Sequence, residues 1–127
     1  MSFSIRYRPP DADNAFVLEG VDEVVIGRNP GDDGLTLTPY DDTISAAAVN
    51  VCQVEDGLRV ENTSSFATIE LRLASGTIWM SPKEAMVSSE IVGILVSGSV
   101  WVHTVELYDQ EQSVNRQAVA GTRPVLE

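Results

Sequence analysis

The feature that most constrains this chain is a short alternation of apolar and polar residues, interrupted every few positions by glycine, proline, asparagine or aspartate. Segments 3–7 and 69–73 alternate in this way. Side chains on a β-strand point to opposite faces in turn, so the pattern predicts strands with one buried face. About ten or eleven such strands fit between residues 3 and 108. Burying one face of each predicts an all-β, antiparallel β-sandwich of about eleven short strands.

Turn residues divide the chain into these strands. A strand over 21–27 ends in Gly27-Arg28, and a longer strand is predicted from Ser45 to Val54. Asp56-Gly57 is a strong hairpin signal because glycine accepts the left-handed conformation that tight turns need. The segments 87–96 and 100–108 are predicted to form a final hairpin.

Length and composition indicate one folded domain, residues 1–108, followed by a flexible tail or linker over 109–127. The tail is polar and lacks periodicity, which is typical of unfolded termini. The sequence shows neither a transmembrane run nor a signal peptide. Its single cysteine, Cys52, excludes an internal disulfide. We therefore expect a cytoplasmic protein.

The net charge is −11. So acidic a surface repels nucleic acids and anionic membranes, and direct binding to either is not expected. Lys83 is the one lysine in the chain. Binding of a phosphate group would therefore have to rest on local geometry.

Catalysis is not indicated. His103 shares its strand face with apolar residues, and Cys52 lies among valines, so both are interpreted as structural. The pairs at 32–33 and 41–42 are aspartates that could hold a hard cation, but solvated turns are the better interpretation. We expect no enzyme activity, no catalytic residue, no metal site and no cofactor.

Binding is better supported. Arg28 follows Gly27 at a strand end, where its planar guanidinium suits a phosphate or carboxylate. Ser45 comes 17 residues later, after a turn, and its hydroxyl could donate to the same anion. The alternative is that Arg28 pairs with a neighbouring aspartate (Asp32, Asp41 or Asp42) and Ser45 only caps a turn.

Three short motifs follow one another along the chain: Gly27-Arg28, then Ser45, then Asn62-Thr63-Ser64-Ser65. Their types and order resemble the hallmark motifs of the forkhead-associated (FHA) domain. The resemblance covers roughly residues 3–108 and implies a SMAD/FHA-like β-sandwich that binds phosphothreonine peptides on loops at one end. The resemblance implies that Arg28 and Ser45 contact the phosphate, and that Gly27 and Asn62 support them. Ser64, Ser65 and Thr68 would line the peptide groove.

The chain departs from the family pattern at specific positions. Ala46 replaces an arginine, Ala48 replaces a histidine that braces the loops, and Ala67-Thr68 replaces Asn-Gly, whose asparagine holds the peptide backbone. Each lost hydrogen bond to a peptide costs ~1 kcal/mol. Four aspartates near Arg28 also disfavour a dianion. We therefore expect weak phosphopeptide binding, or a preference for a basic residue beside the phosphothreonine.

Three functions remain in competition. The first is a phosphothreonine-dependent adaptor in Ser/Thr kinase-linked signalling, with a protein or phosphopeptide partner such as a kinase substrate. The second is an FHA scaffold that docks an unphosphorylated protein or self-associates, with Tyr40 and Phe66 as candidate anchors. The third is a structural module of a longer multidomain chain, since such sandwiches are often fused to other domains, as in bacterial regulators.

Overall fold

The computed structural model describes residues 2–109 of the 127-residue chain. These residues form eleven β-strands and no helix, which confirms the predicted all-β class. The strands are β1 Phe3–Tyr7, β2 Phe16–Val21, β3 Glu23–Gly27, β4 Leu35–Thr36, β5 Val49–Val54, β6 Gly57–Asn62, β7 Ile69–Leu73, β8 Gly76–Met80, β9 Ala85–Ser88, β10 Ile91–Ser97 and β11 Val102–Asp109.

The strands form two sheets. One has six strands in the order β2-β1-β11-β10-β7-β8, and the other has five in the order β4-β3-β5-β6-β9. All neighbouring strands whose register is defined run antiparallel, except the short parallel pair of β3 and β4. The predicted antiparallel sandwich is confirmed.

The core lies between the sheets and follows the alternation in the sequence. Phe3, Ile5 and Tyr7 on β1 are buried, and their polar neighbours face outward. In the opposite sheet Val49 and Val51 are buried on β5. Truncating a buried side chain of this size to alanine typically costs about 2–5 kcal/mol, so the alternation itself stabilises the two-sheet arrangement.

Several predicted strand boundaries differ from the structure, and two of the differences change the architecture. β5 begins at Val49 rather than Ser45, because the carbonyls of Ser45 and Ala46 accept hydrogen bonds from the loop that follows β3. The predicted strand over 87–96 is two strands, β9 and β10, that lie in different sheets. The crossing from one sheet to the other falls in the polar run Ser88-Ser89-Glu90, which separates the apolar residues of β9 from those of β10.

The register of the five-stranded sheet places three chain segments at one end of the sandwich. Ile26 pairs with Val49, and Val49 pairs with Asn62. β3 and β6 therefore end where β5 begins, and the loops after Gly27, before Val49 and after Asn62 are neighbours.

Across residues 2–109, no helix is long and apolar enough to cross a membrane. The predicted tail over 109–127 lies outside the described residues, except for Asp109, which ends β11.

Candidate functional site

The loop after β3 is held against the loop before β5 by backbone hydrogen bonds. The amide of Arg28 donates to the carbonyl of Ser45, and the amide of Asn29 donates to that of Ala46, both at 3.1 Å. A Cβ added at Gly27 would overlap the carbonyl of Ala46. Glycine is thus required at position 27 for the two segments to approach this closely.

The side chain of Arg28 is held by neutral partners. Its Nε donates to the carbonyl of Ile44 at 2.8 Å, and its Nη1 donates to the hydroxyl of Tyr40 at 3.2 Å. The Arg28 Cζ lies 5.6 Å from the centroid of the Tyr40 ring, within cation–π range. The side chain is therefore positioned, while no carboxylate of residues 2–109 forms an ion pair with it.

The ion pairs of the described chain lie elsewhere. They join Arg6 to Glu106, Arg59 to Glu61 and Arg72 to Glu70. The alternative in which Arg28 only neutralises a neighbouring aspartate is not observed in residues 2–109.

Ser45 connects the Arg28 segment to the loop after β6. Its hydroxyl accepts a hydrogen bond of 3.0 Å from the amide of Ser65. Within residues 2–109 the Ser45 hydroxyl donates to no partner. The structure thus brings Arg28, Ser45 and Ser65 together at one edge, with the Ser45 proton available to a ligand.

Ser64 lies beneath this edge. It is 2% exposed, and its hydroxyl donates to the carbonyl of Ala48 at 3.1 Å. Thr63 adds two bonds to the same segment, from its amide to Ala48 and from its hydroxyl to Ala47, both at 2.9 Å. These three bonds hold the loop before β5 against the loop after β6.

Asn62 holds the loop after β6 from below and is fully buried. Its Nδ2 donates to the carbonyls of Ala67 at 2.8 Å and Met80 at 2.9 Å, and its Oδ1 accepts from the amide of Ser64 at 3.0 Å. Asn62 therefore fixes the backbone of this loop from inside the fold.

The outward surface of the loop after β6 carries Ser65, Phe66 and Thr68. All three are exposed, and Phe66 reaches 94%. Thr68 immediately precedes β7. Because Asn62 binds the intervening Ala67 carbonyl, these exposed side chains stand on a braced backbone.

Asp41 has a role that the sequence analysis missed. Its Oδ1 accepts from the amide of Thr43 and its Oδ2 accepts from the amide of Ser99, both at 2.9 Å. Hydrogen bonds from Thr43 and Ser99 lower the Asp41 pKa to about 2. The signal was present as an Asp-x-Thr turn, in which the carboxylate bonds the backbone two residues later.

The remaining aspartates near the edge (Asp32, Asp33 and Asp42) are exposed. Solvent and salt screen their charges beyond a Debye length of about 8–10 Å.

The residues considered for catalysis are arranged as structural groups. His103 is fully buried, and its Nδ1 lies 2.7 Å from the Tyr7 hydroxyl in a hydrogen bond. Burial lowers the His103 pKa. Cys52 is half-buried rather than fully buried. In the described part of the chain, no cluster of three or more histidine, cysteine, aspartate or glutamate side chains could hold a metal.

With this geometry in hand, comparison with solved structures identifies a fold. The chain is similar to the IAD domain of interferon regulatory factor 9, with a TM-score of 0.64 and 8% identity. The match covers 94% of this chain and 88% of that domain. The two share a fold. Because identity is so low, the likeness concerns the β-sandwich alone.

An FHA domain is a second structural neighbour. The FhaA FHA domain, complexed with the intracellular domain of Rv3910, matches with a TM-score of 0.46 and 11% identity. The match covers 84% of this chain and 99% of that one. No family model matches the chain, and no curated protein matches it.

Proposed function

We propose that this domain is a protein-interaction module whose loop edge binds phosphothreonine peptides weakly. The observation that carries the proposal is the state of Arg28. Its guanidinium is fixed by the Ile44 carbonyl and the Tyr40 hydroxyl, and it forms no ion pair with a carboxylate of the described chain. A positioned cation without a counter-ion favours an incoming anion.

Ser45 supplies the second group of the proposed phosphate site. Its backbone is bonded to Arg28 and its hydroxyl accepts from Ser65, which leaves the hydroxyl proton for a phosphate oxygen. Ser65 and Thr68 are exposed on the next loop, where peptide backbone groups could pair with them. Gly27, Asn62 and Ser64 act from below by holding these segments in place.

Weak affinity follows from what surrounds this site. Ala46 and Ala67 supply no side chain that could bond a peptide, and the exposed aspartates repel a dianion. The same aspartates favour ligands with a lysine or arginine near the phosphothreonine. As an adaptor, the domain would recruit proteins phosphorylated by a Ser/Thr kinase.

Titration calorimetry with matched peptides tests this proposal. Peptides that each carry one phosphothreonine are compared with the same peptides in unphosphorylated form, at low and at moderate salt. The phosphorylated form should bind more tightly, and Arg28→Ala should abolish the difference. Arg72→Ala on β7 removes the same charge away from the loop edge and should leave the difference unchanged. Equal binding of both forms, insensitive to Arg28→Ala, would overturn the proposal.

A second candidate is a scaffold that docks a partner without phosphate or self-associates. The exposed aromatic side chains at this edge favour it: Phe66 is 94% exposed and Tyr40 is 71% exposed. Large apolar residues this exposed are typical anchors of protein interfaces. For this candidate, Phe66→Ala rather than Arg28→Ala should release the partner or the second copy.

A further inference from the structure

Tyr40 places a second hydroxyl beside the guanidinium of Arg28. The hydroxyl accepts from Arg28 Nη1 at 3.2 Å, and the ring lies within cation–π distance of Arg28 Cζ. The Arg28 guanidinium also holds the carbonyl of Ile44, the residue before Ser45. The Arg28 side chain thus links the Tyr40 hydroxyl to the backbone immediately before Ser45.

The backbone under Tyr40 is anchored although its side chain is exposed. Asp41 is buried and its carboxylate is bonded by the amides of Thr43 and Ser99. Ser99 belongs to the turn between β10 and β11, so this contact ties the Tyr40 loop to the six-stranded sheet. The Tyr40 hydroxyl therefore projects from a fixed base.

The hydrogen-bonding capacity of the two hydroxyls is used in the same way. A hydroxyl has one proton to donate and two lone pairs to accept with. Tyr40 accepts from Arg28, and Ser45 accepts from the amide of Ser65. Within residues 2–109, neither hydroxyl donates its proton to the protein. Both hydroxyls can therefore donate a hydrogen bond to an external ligand beside the Arg28 guanidinium.

We propose that Tyr40 is a third anion-binding group, which donates its hydroxyl proton to a phosphate oxygen alongside Arg28 and Ser45. This inference rests on the proposed function, because it concerns the same site. It adds a ligand contact that the motif resemblance does not supply, in a site where Ala46 provides no second cation. Three donor groups match the three terminal oxygens of a phosphoryl group.

This arrangement has a consequence for selectivity. A carboxylate has two oxygens and one negative charge, so it cannot occupy all three donors as fully as a phosphoryl group. The Tyr40 contact should therefore strengthen binding of phosphothreonine peptides more than binding of peptides with glutamate at that position.

The test is Tyr40→Phe, which keeps the aromatic ring and deletes the hydroxyl together with the hydrogen bond that it accepts from Arg28 Nη1. Affinity for a phosphothreonine peptide should fall roughly tenfold to a hundredfold, the usual effect of losing a hydrogen bond to a charged group. Tyr108→Phe is the matched control. It deletes a hydroxyl that lies 3.1 Å from Glu106 on β11, and it should leave affinity unchanged.

Three outcomes separate the possibilities. Unchanged or tighter binding by Tyr40→Phe, while the wild type still requires phosphate and Arg28, would overturn the role of Tyr40 and leave the proposed function standing. If the wild type shows no phosphate-dependent binding, the proposed function itself fails. If Tyr40→Phe weakens binding, affinity for the matched glutamate peptide separates the two roles. A larger loss for the phosphothreonine peptide supports direct contact with the phosphate, and an equal loss for both peptides overturns it in favour of a positioning role.

Discussion

The amide of Ser65 donates a hydrogen bond of 3.0 Å to the hydroxyl of Ser45, across 20 residues of sequence. This bond joins the loop after β6 to the loop before β5. It also orients the Ser45 hydroxyl, since the oxygen accepts from within the protein and the proton is left for a ligand. The Ser45 hydroxyl therefore belongs both to the candidate site and to the contact that joins the two loops.

Ser45→Ala should weaken phosphothreonine-peptide binding and cost little stability. The variant loses a donor to the phosphate, worth roughly tenfold in affinity, and leaves the Ser65 amide without its partner, a cost of about 1 kcal/mol. Calorimetry and urea unfolding measure the two effects. Ser75→Ala, at an exposed turn position, should change neither. Full affinity in Ser45→Ala would exclude this hydroxyl from the site.

Gly27→Ala should destabilise the fold. The new Cβ would overlap the carbonyl of Ala46, and separating the two segments costs about 1–3 kcal/mol. Gly93→Ala is the matched control, because a Cβ there would lie 3.4 Å from the carbonyl of Val105 in ordinary contact. Chemical denaturation should show a clear loss for the first variant and a small change for the second. Equal midpoints would show that the Gly27 contact relaxes easily.

Asp41 should make stability depend on pH in the acid range. Its folded pKa of about 2 lies below the ordinary value of 3.8. The ionised carboxylate therefore stabilises the fold above about pH 4, and this contribution is lost as pH falls through about 2. Asp41→Asn should lower the unfolding midpoint at pH 7 and flatten this acid dependence.

Asp42→Asn provides the comparison, since Asp42 is exposed. It should leave both the midpoint at neutral pH and the acid profile close to those of the wild type. Identical profiles for Asp41→Asn and Asp42→Asn would show that the bonds from Thr43 and Ser99 add nothing to stability.

His103 should lower stability as pH falls from 7 towards 5. Burial depresses its pKa in the fold, so below about pH 6.5 the unfolded chain binds a proton that the folded chain does not. Stability should fall by up to about 1.4 kcal/mol per pH unit in this window. His103 is the single histidine of the chain, which isolates its contribution. His103→Gln should remove the slope, and a slope that persisted would assign it to other groups.

Much of the fold could be predicted because it depends on local pattern. Alternation in β1 placed Phe3, Ile5 and Tyr7 inward, and the structure buries them. The Asp56-Gly57 turn joins β5 and β6 as predicted, with Gly57 at a φ of +134°. Such features need only the two-residue period of a strand and the freedom of glycine at a turn.

Contacts between distant segments could not be predicted in the same way. The predicted strand from Ser45 began too early because its first residues bond the segment after β3 instead of a neighbouring strand. The burial of Ser64 and the anchoring of Asp41 by Ser99, 58 residues away, also depend on such contacts. Neither leaves a periodic signal in the sequence.

By itself, the sequence determined the β-sandwich and the order of residues along its loops, because alternation and turn chemistry act over a few residues. The tertiary structure decided what those residues do. It set Arg28 against Ile44 and Tyr40 without a carboxylate partner in residues 2–109, and it turned Asp41 towards Thr43 and Ser99. The physical reason is that a charged side chain pairs with a group that packing places within about 4 Å of it. Only the folded chain determines the distance between the two groups.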